Sequence, residues 1–143
     1  MITVEKSVHI NKPISEVFAF MSDFANDAKW QSDLVRSEKT SEGPIAVGTT
    51  GLYVQKLMGK EMKNDVVVTV YEAPKRFGMK TTSGPVQFEI LASLEEMGGG
   101  THVTINAKGE PGGFFKLAEG LIQKELEKTF ERDFEKLKQV LEA

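Results

Sequence analysis

The chain has 143 residues, 40% of them apolar, a formal net charge of −3 and no cysteine. That length suits one domain, residues 1–143, around a single core, and the missing cysteines exclude both a disulfide framework and a thiolate metal cage, leaving a reducing cytoplasm as the default compartment. With a pI near 5.5 the chain lacks the basic excess that a phosphate backbone demands, so nucleic acid is not an expected partner.

The first residues, Met1 to Lys6, include an acid and a base where a signal peptide needs an unbroken apolar segment. No later run approaches membrane-spanning length. From Ile2 to Ile10, Ile2, Val4, Val8 and Ile10 alternate with polar residues, the period of a half-buried strand, and Lys6 is the one polar residue on the apolar side. Pro13 at a first helical position and the stripe Ile14, Val17, Phe18, Met21 predict a short amphipathic helix. Ser22-Asp23 caps a second short helical piece, Phe24 to Lys29, ending near the only tryptophan, Trp30.

Six strand-like pieces follow: Leu34 to Thr40, Thr49 to Leu57, Met62 to Tyr71, Arg76 to Thr82, Val86 to Leu94 and Thr101 to Lys108. The breaks between them are short and rich in glycine and proline, which suits antiparallel hairpins and excludes parallel crossovers. An antiparallel meander is expected, with Phe77, Met79, Phe88, Ile90, Val103 and Ile105 on one apolar face. Thr49 to Leu57 is ambiguous, because Leu52 and Val54 compete with Tyr53, Gln55 and Leu57 for the inner side. Beyond Gly112-Gly113 the period becomes helical, with Phe115, Ala118, Ile122, Leu126, Phe130, Leu137 and Leu141 in one broad stripe. Phe114, Leu117 and Leu121 lie beside that stripe, more apolar circumference than one packed face requires, so the amino-terminal half of the helix is expected to face a cavity as well as a core. The fold class is α+β.

Chemical motifs are sparse. His9 and His102 alternate onto the polar sides of their strands, and no histidine pair, acidic calcium loop or other ligand set for a metal is present. There is no Gly-x-Ser-x-Gly elbow, and Gly98-Gly99-Gly100 joins strand to strand, which excludes a phosphate-binding loop. No cofactor and no catalytic residue is expected. Two acids fall on or near the apolar side of the long helix. Asp133 is read as a hydrogen-bonded tie between helix and sheet or turn, and Glu119 as either a cavity-lining contact for a ligand hydroxyl or amine or a solvent-reaching edge residue. The stem of Lys6 is long enough to cross apolar surface and set its ammonium at a cavity mouth.

The order of elements resembles a known superfamily over the whole chain. Its local carriers are His9-Ile10-Asn11-Lys12-Pro13 with Val17-Phe18 and Ser22-Asp23, then Trp30, Gly43-Pro44-Ile45-Ala46-Val47-Gly48-Thr49, Tyr71-Glu72-Ala73-Pro74, Gly100-Thr101-His102-Val103-Thr104 and Asp133-Phe134-Glu135-Lys136-Leu137-Lys138. Together they resemble the polyketide cyclase/dehydrase-like branch of the START/Bet v 1 helix-grip superfamily. The resemblance implies a curved antiparallel sheet of about seven strands around a long C-terminal helix. It also implies a cavity for a lipid, a polyketide or another small apolar molecule. The wall expected for it is Trp30, Phe77, Met79, Phe88, Phe114, Leu117 and Leu121, with Tyr53 and Glu119 as further candidates; the same residues would equally fill an ordinary core. Trp30 is expected to be partly buried, with its N–H near water or a backbone acceptor. Two other functions occur on this fold, a polyketide aromatase or cyclase and a protein-partner module like the Hsp90-ATPase activators. A packed interior favours the partner module, a dry cavity the binder, and a cavity with convergent acids or tyrosine the enzyme. The protein is expected to be a monomer or homodimer.

Overall fold

The computed structural model describes residues 1–57, 59–111 and 113–143, with backbone alone at 57, 86, 111 and 113–115. The elements run β1 (Ile2–Ile10), α1 (Ile14–Met21), a first 3-10 helix (Phe24–Lys29), β2 (Leu34–Lys39), β3 (Thr50–Leu57), β4 (Lys60–Glu72), β5 (Arg76–Ser83), β6 (Val86–Met97), β7 (Gly100–Pro111), a second 3-10 helix (Gly113–Ala118) and α2 (Glu119–Glu142). Pro13 sits one position before α1, at its N-cap, where its fixed φ of −60° leads the chain into the first turn.

The strands form one seven-stranded sheet in the order β1-β7-β6-β5-β4-β3-β2. From β2 to β7 this is the antiparallel meander that the short glycine- and proline-rich breaks predict. The pairing of β1 with β7, from Ile2 opposite Gly109 to Ile10 opposite Thr101, was not legible in local patterns. It follows from α1 and the first 3-10 helix, which carry the chain from one edge of the sheet to the other. Bulges between Leu34 and Arg36, and twice in the β4–β5 pairing, bend the strands, and the sheet curls into a half-barrel.

β6 and β7 are longer than their alternation suggests, because pairing continues to Met97 opposite Gly100 across a two-residue turn. Gly98 and Gly99 have φ of 58° and 81° there, both in the left-handed region that a tight hairpin needs and that a Cβ disfavours. Register also settles β3. Tyr53 lies opposite Asn64 and Gln55 opposite Met62, and both partners are buried on the inner face, so Tyr53 points inward.

α2 lies along the concave face with Ile122, Thr129, Asp133, Phe134, Leu137 and Leu141 buried. The apolar residues fall into two clusters. A larger one includes Trp30, Phe77 and Phe134, and a smaller one holds Ile2, Val4, Met62 and Ile122. The helix expected to run unbroken from Gly113 instead begins as a 3-10 segment and becomes α-helical at Glu119. Three residues per turn in that segment displace the faces that an α-helical wheel assigns to residues 113–118.

Candidate functional site

Members of both clusters line one cavity of about 200 Å3 between the sheet and α2. Met21 closes it from α1, Phe77, Met79, Phe88 and Ile105 from the strands, and Ile122, Phe130 and Phe134 from α2. Its walls are mainly apolar.

Five of the nine residues expected to form the wall border this cavity: Trp30, Tyr53, Phe77, Met79 and Phe88. Three others do not. Leu117 is 96% exposed and Leu121 62% exposed. Leu117 belongs to the 3-10 segment, where the α-helical wheel does not hold, and Leu121 lies about 100° around the helix from buried Ile122. Glu119 takes the solvent-reaching alternative, pairing with the N-terminal ammonium of Met1 at 2.7 Å. The side chain of Phe114 lies outside the described residues. Lys6 pairs with Glu131 at 2.9 Å and does not border the cavity. His9 and His102 face each other across β1 and β7 on the outer side.

The sequence reading missed the polar end of the cavity. Asp27 is 3% exposed and lines the wall. Its position follows from the local helix: at three residues per turn, Phe24, Asp27 and the capping residue Trp30 stack on one face, and that face is turned inward. Asp23 holds the start of the segment by accepting from the Ala25 N–H at 3.0 Å. Phe24 can lie flat on β3 because Gly51 has no side chain. A Cβ there would come within 3.0 Å of the Phe24 ring and 3.1 Å of the Glu38 carbonyl oxygen. Phe24 then meets the Tyr53 ring edge-on at 5.8 Å, which brings Asp27 over the Tyr53 hydroxyl.

That hydroxyl donates to Oδ2 of Asp27, and the Ser37 hydroxyl approaches the same oxygen at 3.4 Å. Burial raises the Asp27 carboxyl to about 7; the hydrogen bonds from Tyr53 and Ser37 pull against this and the nearby Asp23 charge adds to it. Tyr53 is pushed well above its ordinary range, first by burial and then by the charge and hydrogen bond of Asp27. Asp27 is a carboxyl group poised between its two protonation states at neutral pH, inside a mainly apolar wall.

Asp133 borders the cavity from α2. Its Oδ1 accepts from the Ser32 N–H at 2.9 Å and the Ser32 hydroxyl at 2.7 Å, the helix-to-turn tie expected for this residue. Burial shifts its carboxyl upward, the Ser32 bonds oppose that, and Asp33 adds to it. Trp30 packs on Phe134 with ring centroids 6.3 Å apart and is 7% exposed. Its Nε1 is buried with no hydrogen-bond partner among the described residues, so of the two expected partners the backbone acceptor is not there. Burial of the indole against α2 overrides satisfaction of its one donor.

A curled antiparallel sheet gripping a C-terminal helix over an apolar cavity defines the START-like, or helix-grip, class. The chain belongs to the family described as polyketide cyclase / dehydrase and lipid transport, whose model matches residues 1–142. Among solved structures it is similar to a START superfamily protein from Mycobacterium smegmatis, at 14% identity and a TM-score of 0.83, covering 98% of this chain and 97% of that one. It is similar to a protein from Thermus thermophilus, at 18% identity and a TM-score of 0.76, covering 94% and 96%. It also resembles the di-domain aromatase/cyclase BexL of the BE-7585A biosynthetic pathway, at 14% identity and a TM-score of 0.75, covering 99% of this chain and 47% of that one. At these identities the likeness is one of fold. No curated protein matches the chain. Among the described residues no helix is long and apolar enough to cross a membrane.

Proposed function

We propose that this chain binds or carries a small hydrophobic molecule in the cavity between its sheet and α2. The observation that carries this reading is the cavity itself, about 200 Å3 with a mainly apolar wall where a partner module would need only a packed interior. Its size narrows the class. A dry cavity of about 150 Å3 is enough for benzene, and drug-sized ligands occupy about 300 Å3 or more. A one- or two-ring molecule or a short acyl chain fits, and a diacyl lipid does not. At roughly 25 cal/mol per Å2 of apolar surface removed from water, one aromatic body reaches binding near micromolar. Trp30, Tyr53, Phe77, Met79 and Phe88 are the contacts, and Met79 adapts its shape to more than one ligand. The absence of cysteine favours a reducing cytoplasm as the working compartment.

A second reading has one specific observation in its favour. The Asp27–Tyr53 pair brings an acid and a phenol together on the cavity wall, the kind of group that a cyclase or aromatase uses to move a proton. A panel of naphthalenes, flavonoids, short fatty acids and β-polyketone mimics separates the two. Saturable binding by calorimetry with a matching rise in Tm, and every compound recovered unchanged, supports the carrier. Turnover that Asp27→Asn abolishes supports the enzyme. No binding by any compound overturns both.

A further inference from the structure

The acidic side chains of the cavity are not scattered. Asp27 and Asp33 come from the short stretch that runs through Trp30, and Thr129 and Asp133 come from the facing turn of α2. The Thr129 hydroxyl approaches Asp33 at 3.2 Å, and Asp133 grips Ser32, so the two segments are fastened to each other. The acids of the cavity therefore gather at one pole, and the neutral Gln31 and Gln55 also border the cavity. Among the described residues no cation enters it. Lys56 and Lys108 border the cavity, but they alternate outward from Gln55 and Ala107 and are exposed. Arg132 turns to the outer side of the same loop, 3.1 Å from the Ser32 hydroxyl and 4.0 Å from Asp33.

Two polar groups of the cavity wall, Asp27 and Trp30, bear on what a ligand must offer. Both side-chain hydrogen bonds to Asp27 fall on Oδ2, a small share for a carboxylate taken out of water. Trp30 has its Nε1 buried without an acceptor. A ligand hydroxyl can answer both, since it donates one hydrogen bond and accepts others. A ligand carboxylate would bring a further negative charge beside the buried Asp27 and Asp133, with no inward cation to meet it. A ligand methoxy group could accept but not donate.

We propose that the cavity selects neutral ligands bearing a hydroxyl, a phenol or alcohol that enters oxygen first and donates to Asp27, and that it rejects the carboxylate of the same body. This rests on the ligand-binding reading above.

Protons follow from the same contact. The titratable groups acting on Asp27 are Tyr53, from β3, and Asp23, at the start of its own helix; Ser37, from β2, supplies the other hydrogen bond. A donor on the carboxylate favours its charged form, so a bound hydroxyl lowers the Asp27 pKa, a proton leaves on binding, and affinity rises with pH across neutrality.

The test uses three probes with one body, 2-naphthol, 2-methoxynaphthalene and 2-naphthoate, titrated calorimetrically into the full chain at about pH 6 and about pH 8 in buffers of different ionisation enthalpy. The expected result is that 2-naphthol binds at least about tenfold tighter than either relative, about 1.4 kcal/mol, and releases protons. Asp27→Asn, which keeps the shape and an acceptor, should abolish the proton release and narrow the gap to 2-naphthoate. Should that variant fail to fold, the wild-type ranking and its pH dependence decide alone. Equal binding by all three probes, or tightest binding by 2-naphthoate, overturns the selectivity while leaving the binding reading intact. No binding by any of them overturns the binding reading itself.

Discussion

The hydroxyl of Tyr53 donates to the carboxyl group of Asp27, joining the central part of β3 to the first 3-10 helix inside the cavity wall. Burial sets this acid near neutrality against the pull of that hydrogen bond, and the cost is therefore visible in how stability depends on pH. An acid whose pKa is raised on folding holds its proton longer in the folded state than in the unfolded one. Its stabilising contribution is complete below the unfolded value, near 3.8, and is lost as pH rises through about 7.

Asp27→Asn cannot titrate, so the variant should gain on the wild type between about pH 4 and about pH 8, by up to roughly 4 kcal/mol if the whole shift is expressed. Comparing the two proteins cancels the carboxylates that shift the other way, Glu72 and Glu142, whose stabilising pairs are lost at low pH. Urea denaturation at four pH values measures the difference. A gap that stays flat with pH, or that grows on acidification, would show that Asp27 is not the buried acid described.

The tie between α2 and the turn after Trp30 makes a separate prediction. Both Ser32 hydrogen bonds end on Oδ1 of Asp133. Asp133→Ala removes the acceptor of a backbone N–H and a hydroxyl at an exposed residue and should cost about 1 kcal/mol. Asp133→Asn retains an oxygen in the same position and should recover at least half of that loss. Equal tolerance of alanine and asparagine in chemical denaturation would mean that the turn is held by packing alone.

How much of this was legible in the sequence varies with the physics of each part. The strands were, because alternation such as Phe88, Ile90, Ala92 and Leu94 reports directly on a sheet with one apolar face. The edge that β1 takes was not, since pairing between residues about a hundred positions apart leaves no local trace. Among site residues, Phe77, Met79 and Phe88 were readable as inward-facing, and Tyr53 became so only with its register to Asn64. Asp27 was missed although a signal existed. An acid three residues after one aromatic and three before another stacks directly in line with both in a 3-10 helix and drifts around an α-helix, and the sequence pattern does not choose between the two periods.

A misjudged period at the second 3-10 helix assigned Leu117 to the cavity, and too broad an apolar face on α2 assigned Leu121 to it. Both are exposed, and neither borders it. The double substitution Leu117→Ser, Leu121→Ser should change stability by no more than about 0.5 kcal/mol and leave 2-naphthol binding within about twofold of the wild type, about 0.4 kcal/mol. A large loss of either would restore these leucines to the ligand wall.

Ala92 offers the sharpest test of the cavity because it is the smallest side chain in the part of the wall that lies between Phe77 on β5 and Ile105 on β7. It is buried, and its methyl group points into the space between sheet and α2. Ala92→Leu adds three carbon atoms there. In a close-packed core such an insertion forces neighbours off their rotamers and costs about 1–3 kcal/mol. In a real void it replaces empty space with dispersion contacts and should hold stability level or raise it by about 0.5–2 kcal/mol. The added volume is taken from the ligand, so 2-naphthol affinity should fall at least about tenfold while Tm does not. A destabilised Ala92→Leu that still binds 2-naphthol at full strength would show that the ligand sits elsewhere and that this part of the sheet is an ordinary core.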